Sequence, residues 1–194
     1  YISAARTLSL NPALAGEHQY DNPATAVAFL EQLPQLKVSD EHISTGLQKA
    51  VWPARLQPLP THPYQRLLPA GALLYLDGGH NPQGGEILGQ WLSQQSADYT
   101  VYLVCGMIKG KDMKAFLAPL APHARQLHSV AIAGEANSQP ASALAEAARA
   151  VGLSAQPEQN LEKALQSVAD HAKTHPSEKP LLVCICGSLY LAGR

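Results

Sequence analysis

Apolar residues change their rhythm once along this chain. Ala24, Val27, Ala28 and Leu30 recur at three- and four-residue spacing, which predicts a helix from Asp21 to about Leu33. A second short helix is expected over Asp40 to Ala50, with Ser39 placed to open it. Between Trp52 and Gly71 the prolines Pro53, Pro58, Pro60, Pro63 and Pro69 remove backbone donors, so a boundary or hinge is expected there. Beyond it the pattern alternates. Short apolar runs at 72–77, 99–105, 127–133 and 180–186 predict strands, and amphipathic stretches at 82–95, about 111–120, 140–151 and 159–173 predict helices. Strands apolar throughout, alternating with helices, imply an α/β fold: a Rossmann-like, mostly parallel sheet with helices on both faces, preceded by a short helical segment.

Composition narrows what this fold can serve. The 194 residues are 46% hydrophobic and 15% charged, enough for one sizeable core. Lys plus Arg number 14 against 15 Asp plus Glu, so no net field favours nucleic acid or an anionic membrane. No apolar run approaches the roughly 20 residues of a membrane span. The chain starts at Tyr1 without a signal-peptide pattern and reads as a piece of something longer. Cys105, Cys184 and Cys186 all fall inside apolar runs, which argues against a disulfide framework and for a reducing, cytoplasmic setting. As i and i+2 of a strand, Cys184 and Cys186 share one face and lack C-x-x-C spacing.

In an open parallel sheet, ligands meet the loops at the carboxyl ends of the strands. Three loops qualify: Asp77-Gly78-Gly79-His80-Asn81-Pro82, then Gly106 to Asp112 with Lys109 and Lys111, and Gly187-Ser188-Leu189-Tyr190. Glycines allow close backbone approach, and a following helix N-terminus favours carboxylate or phosphate. Each residue also has a plainer reading. Asp77 and Ser188 could cap the helices that follow, His80 could pack on its loop, the lysines could be solvated, and Arg55 could stack on Trp52.

Taken together and in order, Glu17 to Asn22, Trp-Pro-Ala-Arg-Leu-Gln (52–57), Leu-Asp-Gly-Gly-His-Asn-Pro (76–82), Gly-Lys-Asp (110–112) and Cys-Gly-Ser-Leu-Tyr-Leu-Ala-Gly (186–193) resemble the folylpolyglutamate and dihydrofolate synthases of the Mur ligase superfamily. The likeness runs from Gly16 to Gly193, and the spacing Gly16, His18, Gln19, Asn22 is similar to the folate branch. It implies that residues 1–50 end a central ATP-binding domain and 51–194 form a C-terminal glutamate-ligase domain.

The family reaction joins L-glutamate to dihydropteroate or a reduced folate through an acyl phosphate made with ATP. Mg2+ is its cofactor, with metal ligands outside this chain, and the complete enzyme is expected to be a monomer. By the resemblance, Asn22 would hydrogen-bond adenine and Arg55 would contact the nucleotide phosphates across the gap between domains. Asp77 would hold the ribose or orient Arg55. His80 and Ser188 would hold the incoming glutamate near the acyl phosphate, with Lys111 on its carboxylates. Asp77 and His80 are thus the expected catalytic residues, no metal ligand is expected here, and the piece alone is expected to be inactive.

The chain departs from the family pattern at Pro53-Ala54-Arg55, where Pro-Gly-Arg is common, which matters only if that glycine needs a positive φ. The stretch from Gln57 to Leu73 is also long. Two rival readings share these loops: another Mur-type amide ligase, or a non-catalytic nucleotide-binding module of Rossmann-like fold. No G-x-x-x-x-G-K-[ST] is present, and no G-x-G-x-x-G opens the first helix of the sheet, which disfavours dinucleotide binding. A truncated helical segment is further expected to expose the apolar face of Val27 and Leu30.

Overall fold

A computed structural model describes residues 1–14 and 20–193. The chain forms two compact units, Tyr1–Leu56 and Gln57–Arg194.

The first unit holds helices α1 (Asp21–Glu31) and α2 (Asp40–Lys49), separated by a 3-10 turn at Pro34–Leu36. Helix α1 stops before Leu33 because Pro34 disfavours helical backbone in the residue ahead of it. Ser39 caps α2 as expected: its hydroxyl accepts from the His42 N–H, and the His42 ring accepts from the Ser39 N–H. The N-terminal turn is tied to both helices through Arg6, which lies 3.4 Å from the Glu31 carboxylate and 3.0 Å from that of Asp40. Val27 is buried, contrary to expectation; the large apolar side chains left exposed in this unit are Ile2, Tyr20, Phe29, Leu36, Val51 and Trp52.

The second unit is built on a six-stranded sheet. Its strands are β1 (Gln57–Pro58), β2 (Leu73–Leu76), β3 (Thr100–Cys105), β4 (Gln126–Val130), β5 (Ala155–Glu158) and β6 (Leu181–Cys186), in the order β1-β2-β6-β3-β4-β5. All neighbours are parallel except β1, which pairs antiparallel with β2. The connecting helices are α3 (Pro82–Gln95), α4 (Met113–Leu117), α5 (Ala141–Ala150) and α6 (Leu161–Thr174), and α7 (Leu189–Ala192) follows the last strand.

Handedness explains the layers. From β2 to β5 the chain advances in one direction across the sheet, so right-handed crossovers put α3, α4 and α5 on one face. The return from β5 to β6 runs the other way and puts α6 on the opposite face. Alternation along each strand supplies a core to both sides. Tyr102, Val104, Val183 and Ile185 pack with Ala164, Leu165 and Val168 of α6, and Leu191 of α7 joins the same cluster.

Two expectations need correction. The helix predicted over 111–120 is shorter, Met113–Leu117, so Lys111 lies in the loop ahead of it. No strand was anticipated between α5 and α6, yet β5 forms the edge of the sheet. The long stretch from Gln57 to Leu73 pairs as β1, turns through a 3-10 helix at Pro63–Leu67, and lays Leu59, Tyr64 and Leu67 against the α6-side core. No helix among the described residues is long and apolar enough to cross a membrane.

Candidate functional site

The topology selects where a ligand can sit. Strands β2 and β3 send their chains to the face of α3 and α4, whereas β6, lying between them, sends its chain through α7 to the other face. Connections leaving neighbouring strands in opposite directions open a crevice at the carboxyl ends, and β6 is flanked by such neighbours on both sides. The three predicted loops are the ones that meet there.

Their backbones are joined directly. The Asp77 N–H donates to the Ile185 carbonyl at 2.9 Å, the Gly187 N–H to the Gly79 carbonyl at 3.1 Å, and the Gly106 N–H to the Cys186 carbonyl at 3.2 Å. Asp77 does not cap α3. Its Oδ1 accepts from the Gly79 N–H at 2.8 Å in an Asx-type turn, and Asn81 caps the helix instead, accepting from the Gly84 N–H at 2.7 Å with Pro82 as the first helical residue. Both glycines are closely approached: a Cβ on Gly79 would lie 2.9 Å from the Asp77 Oδ1, and one on Gly84 3.2 Å from the Gly79 Cα.

His80 is held by its own loop: its Nδ1 lies 2.8 Å from the Gly78 carbonyl oxygen. A carbonyl only accepts, so Nδ1 carries a proton in this bond, and the tautomer it selects leaves Nε2 as the acceptor of the neutral ring. Ser188 is buried and caps α7, accepting from the Tyr190 N–H at 3.0 Å, and its hydroxyl proton remains available to a ligand. Asp77, His80 and Ser188 are therefore brought to one crevice. Lys111 and Lys109 lie on the second loop, where Asp112 caps α4 through the Ala115 N–H at 3.0 Å.

Beneath this crevice sit the three cysteines, all free and buried. Cys105 is the register neighbour of Cys186. Hydrogen bonds to Cys186, with burial second, push the Cys105 and Cys184 thiols up, while the same bonds lower Cys186 to about 6.

One contributor was missed by the sequence reading. The loop after β4, residues 131–139, braces the Lys109 loop: the Lys109 N–H donates to the Asn137 carbonyl at 2.7 Å and the Gln139 N–H to the Met107 carbonyl at 2.8 Å. The Ser138 hydroxyl pins it by accepting from the Ile132 N–H at 2.7 Å. Gly134, Asn137 and Pro140 directly after a strand were the available signal.

In the first unit, Asn22 lies exposed in the first turn of α1, and Arg55 is half-buried with its Nη1 donating to the Ala54 carbonyl at 3.1 Å. Gly16, His18 and Gln19 lie outside the described residues. Ala54 answers the question raised by its missing glycine. Its φ is +56°, and that of Leu56, two residues on, is also positive at +44°, so the position does demand the left-handed conformation that glycine adopts without strain.

Comparison with known proteins places this arrangement. The family described as Dihydrofolate synthetase, C-terminal domain matches residues 63–194. The dihydrofolate synthase/folylpolyglutamate synthase of Bacillus subtilis is 31% identical over 122 residues, covering 61% of this chain and 26% of that protein. The folylpolyglutamate synthase of Lacticaseibacillus casei is 26% identical over 191 residues, 96% of this chain and 40% of that protein. Among solved structures, Mycobacterium tuberculosis folylpolyglutamate synthase complexed with ADP and AMPPCP superposes with a TM-score of 0.78 at 26% identity, over 95% of this chain and 40% of its own. A Yersinia pestis bifunctional folylpolyglutamate synthase/dihydrofolate synthase complexed with AMPPNP and Mn ion gives 0.70 at 29% identity, over 95% and 39%. The chain thus spans well under half the length of these relatives. With its sheet order, its strand-end loops and a family match over most of its length in agreement, the chain belongs to the dihydrofolate synthetase C-terminal domain family.

Proposed function

We propose that this chain supplies the C-terminal side of an ATP-dependent ligase site that adds L-glutamate to dihydropteroate or a reduced folate. The family is one of ATP-dependent ligases, and relatives are named with ADP, AMPPCP or AMPPNP bound. The observation that carries the reading is the convergence of Asp77, His80 and Ser188 at the crevice flanking β6, where a small zwitterionic acceptor can be held by a hydroxyl, a ring nitrogen and backbone N–H groups.

Amide formation through an acyl phosphate needs the attacking amine to lose a proton as the C–N bond forms and phosphate leaves. His80 Nε2, with its proton fixed on Nδ1, is suited to accept a hydrogen bond from that amine and orient it. The Ser188 hydroxyl and the Lys111 ammonium are suited to glutamate carboxylates. Asp77, held by the Gly79 N–H, is suited to a ribose hydroxyl, Asn22 to an adenine edge, and Arg55 to phosphate oxygens. Among the described residues no group of three or more His, Cys, Asp or Glu side chains is placed to hold a metal ion. Mg2+ would accompany the nucleotide on ligands beyond this chain, and the chain would be inactive alone.

Two measurements test the reading. The complete protein should convert isotope-labelled L-glutamate into a pterin conjugate only when ATP and dihydropteroate or tetrahydrofolate are both present; incorporation with neither pterin would point to another Mur-type acceptor, and none with any acceptor to a non-catalytic module. Arg55→Ala should raise the KM for ATP and lower kcat together, and unchanged kinetics would remove Arg55 from the nucleotide site.

A further inference from the structure

We infer that Gly187 is the positioning residue that sets the spacing of the three strand-end loops, and so places Ser188 opposite His80. This rests on the reading of that crevice as the glutamate site. Gly187 has φ +99° and touches both other loops at once. Its N–H reaches the first loop by donating to the Gly79 carbonyl at 3.1 Å. Toward the second loop there is no room for a side chain: a Cβ would lie 2.6 Å from the Cys105 Sγ, 2.7 Å from the Gly106 carbonyl oxygen and 3.0 Å from the Met107 Cγ.

Neither main obstacle can step aside. The Gly106 oxygen is backbone, and Cys105 is wholly buried beside its register neighbour Cys186. A methyl at 187 must therefore push its own loop away from Gly106 or push the Gly106 loop outward. Either movement strains the Gly187–Gly79 bond and changes the separation of Ser188 from His80. Positive φ alone does not single this glycine out. Gly152, with φ +85° in the turn between α5 and β5 at the opposite end of the sheet, has nothing within 4 Å of where its Cβ would be. It carries the same conformational demand without the contacts, and so separates backbone strain from loop positioning.

The experiment compares Gly187→Ala with Gly152→Ala in the complete protein. Both should lower the melting temperature. Only Gly187→Ala should raise the KM for glutamate, by about tenfold or more, and adding Cys105→Ala to it should recover part of that loss as a coupled pair. Should Gly187→Ala not fold, Cys105→Val enlarges the side chain on the other side of the same contact and should shift the same KM. Equal stability losses in the two glycine variants with an unchanged KM for glutamate would overturn the inference. If the unaltered protein shows no glutamate-dependent turnover, the functional reading fails separately, and thiol titration with an aromatic disulfide decides the loop claim. Gly187→Ala should then speed Cys105 modification by about tenfold over Gly152→Ala; equal rates would overturn it.

Discussion

At the scale of single residues, side-chain chemistry was legible and backbone conformation was not. Asp77, His80 and Ser188 could be picked out because a strand end followed by small residues restricts what such groups are for. What Asp77 bonds to could not, and the cap of α3 passed to Asn81, since both residue types cap equally well and only the path of the loop decides. Ala54 marks the limit most clearly: a φ of +56° leaves no trace in the letters except the glycine expected there. Glycine at 54 would relieve about 1 kcal/mol of left-handed strain but lose a buried methyl and gain chain entropy when unfolded. These terms nearly cancel, so Ala54→Gly is expected to change unfolding free energy by less than about 0.5 kcal/mol, unlike an ordinary buried alanine. Ala54→Val, β-branched in the same conformation, should cost about 2 kcal/mol or more in chemical denaturation.

Among elements, the long apolar strands were predicted and the edge strand β5 was not. Its residues Ala155, Gln156, Pro157 and Glu158 carry no apolar run, and proline is tolerated only because this strand lies at the edge. Its polar side chains serve β4: the Glu158 carboxylate lies 3.0 Å from the Nδ1 of wholly buried His128, and the Gln156 amide donates to the same carboxylate at 3.0 Å. Burial lowers the His128 pKa despite Glu158, and burial, with His175 next, lowers that of His171, whose Nδ1 lies 2.8 Å from the Tyr102 hydroxyl. Both histidines bind protons more readily when unfolded. Their contribution to stability is therefore full above the ordinary value of 6.5 and lost as pH falls from there toward the folded-state pKa. Unfolding midpoints measured across this range should drop on acidification, and His128→Phe should flatten the slope.

Glycines inside helices separate two causes in the same way. Gly85 of α3 would place a Cβ 2.4 Å from the Phe116 carbonyl oxygen, so Gly85→Ala should cost about 1–3 kcal/mol despite better helix propensity. Gly46 of α2 has nothing within 4 Å, and Gly46→Ala should gain about 0.5–1 kcal/mol. Both are read from denaturant unfolding.

For the whole molecule, the sequence order of strands and helices implied a parallel sheet, and the return of β6 between β2 and β3 is what gathers the candidate site. That return was not written in any local pattern. It follows from long-range pairing of β6 with both neighbours, and it brings residues 77–80, 106–112 and 187–188 to one edge. The measurement that tests the central claim most directly is ADP release by the complete protein, with dihydropteroate and separately with tetrahydrofolate, in parallel with Asp77→Ala. Release that requires both L-glutamate and a pterin, and falls by about a hundredfold or more in the variant, is the predicted result; release independent of both, or unchanged by Asp77→Ala, would contradict the placement of a glutamate-ligase site at these strand ends.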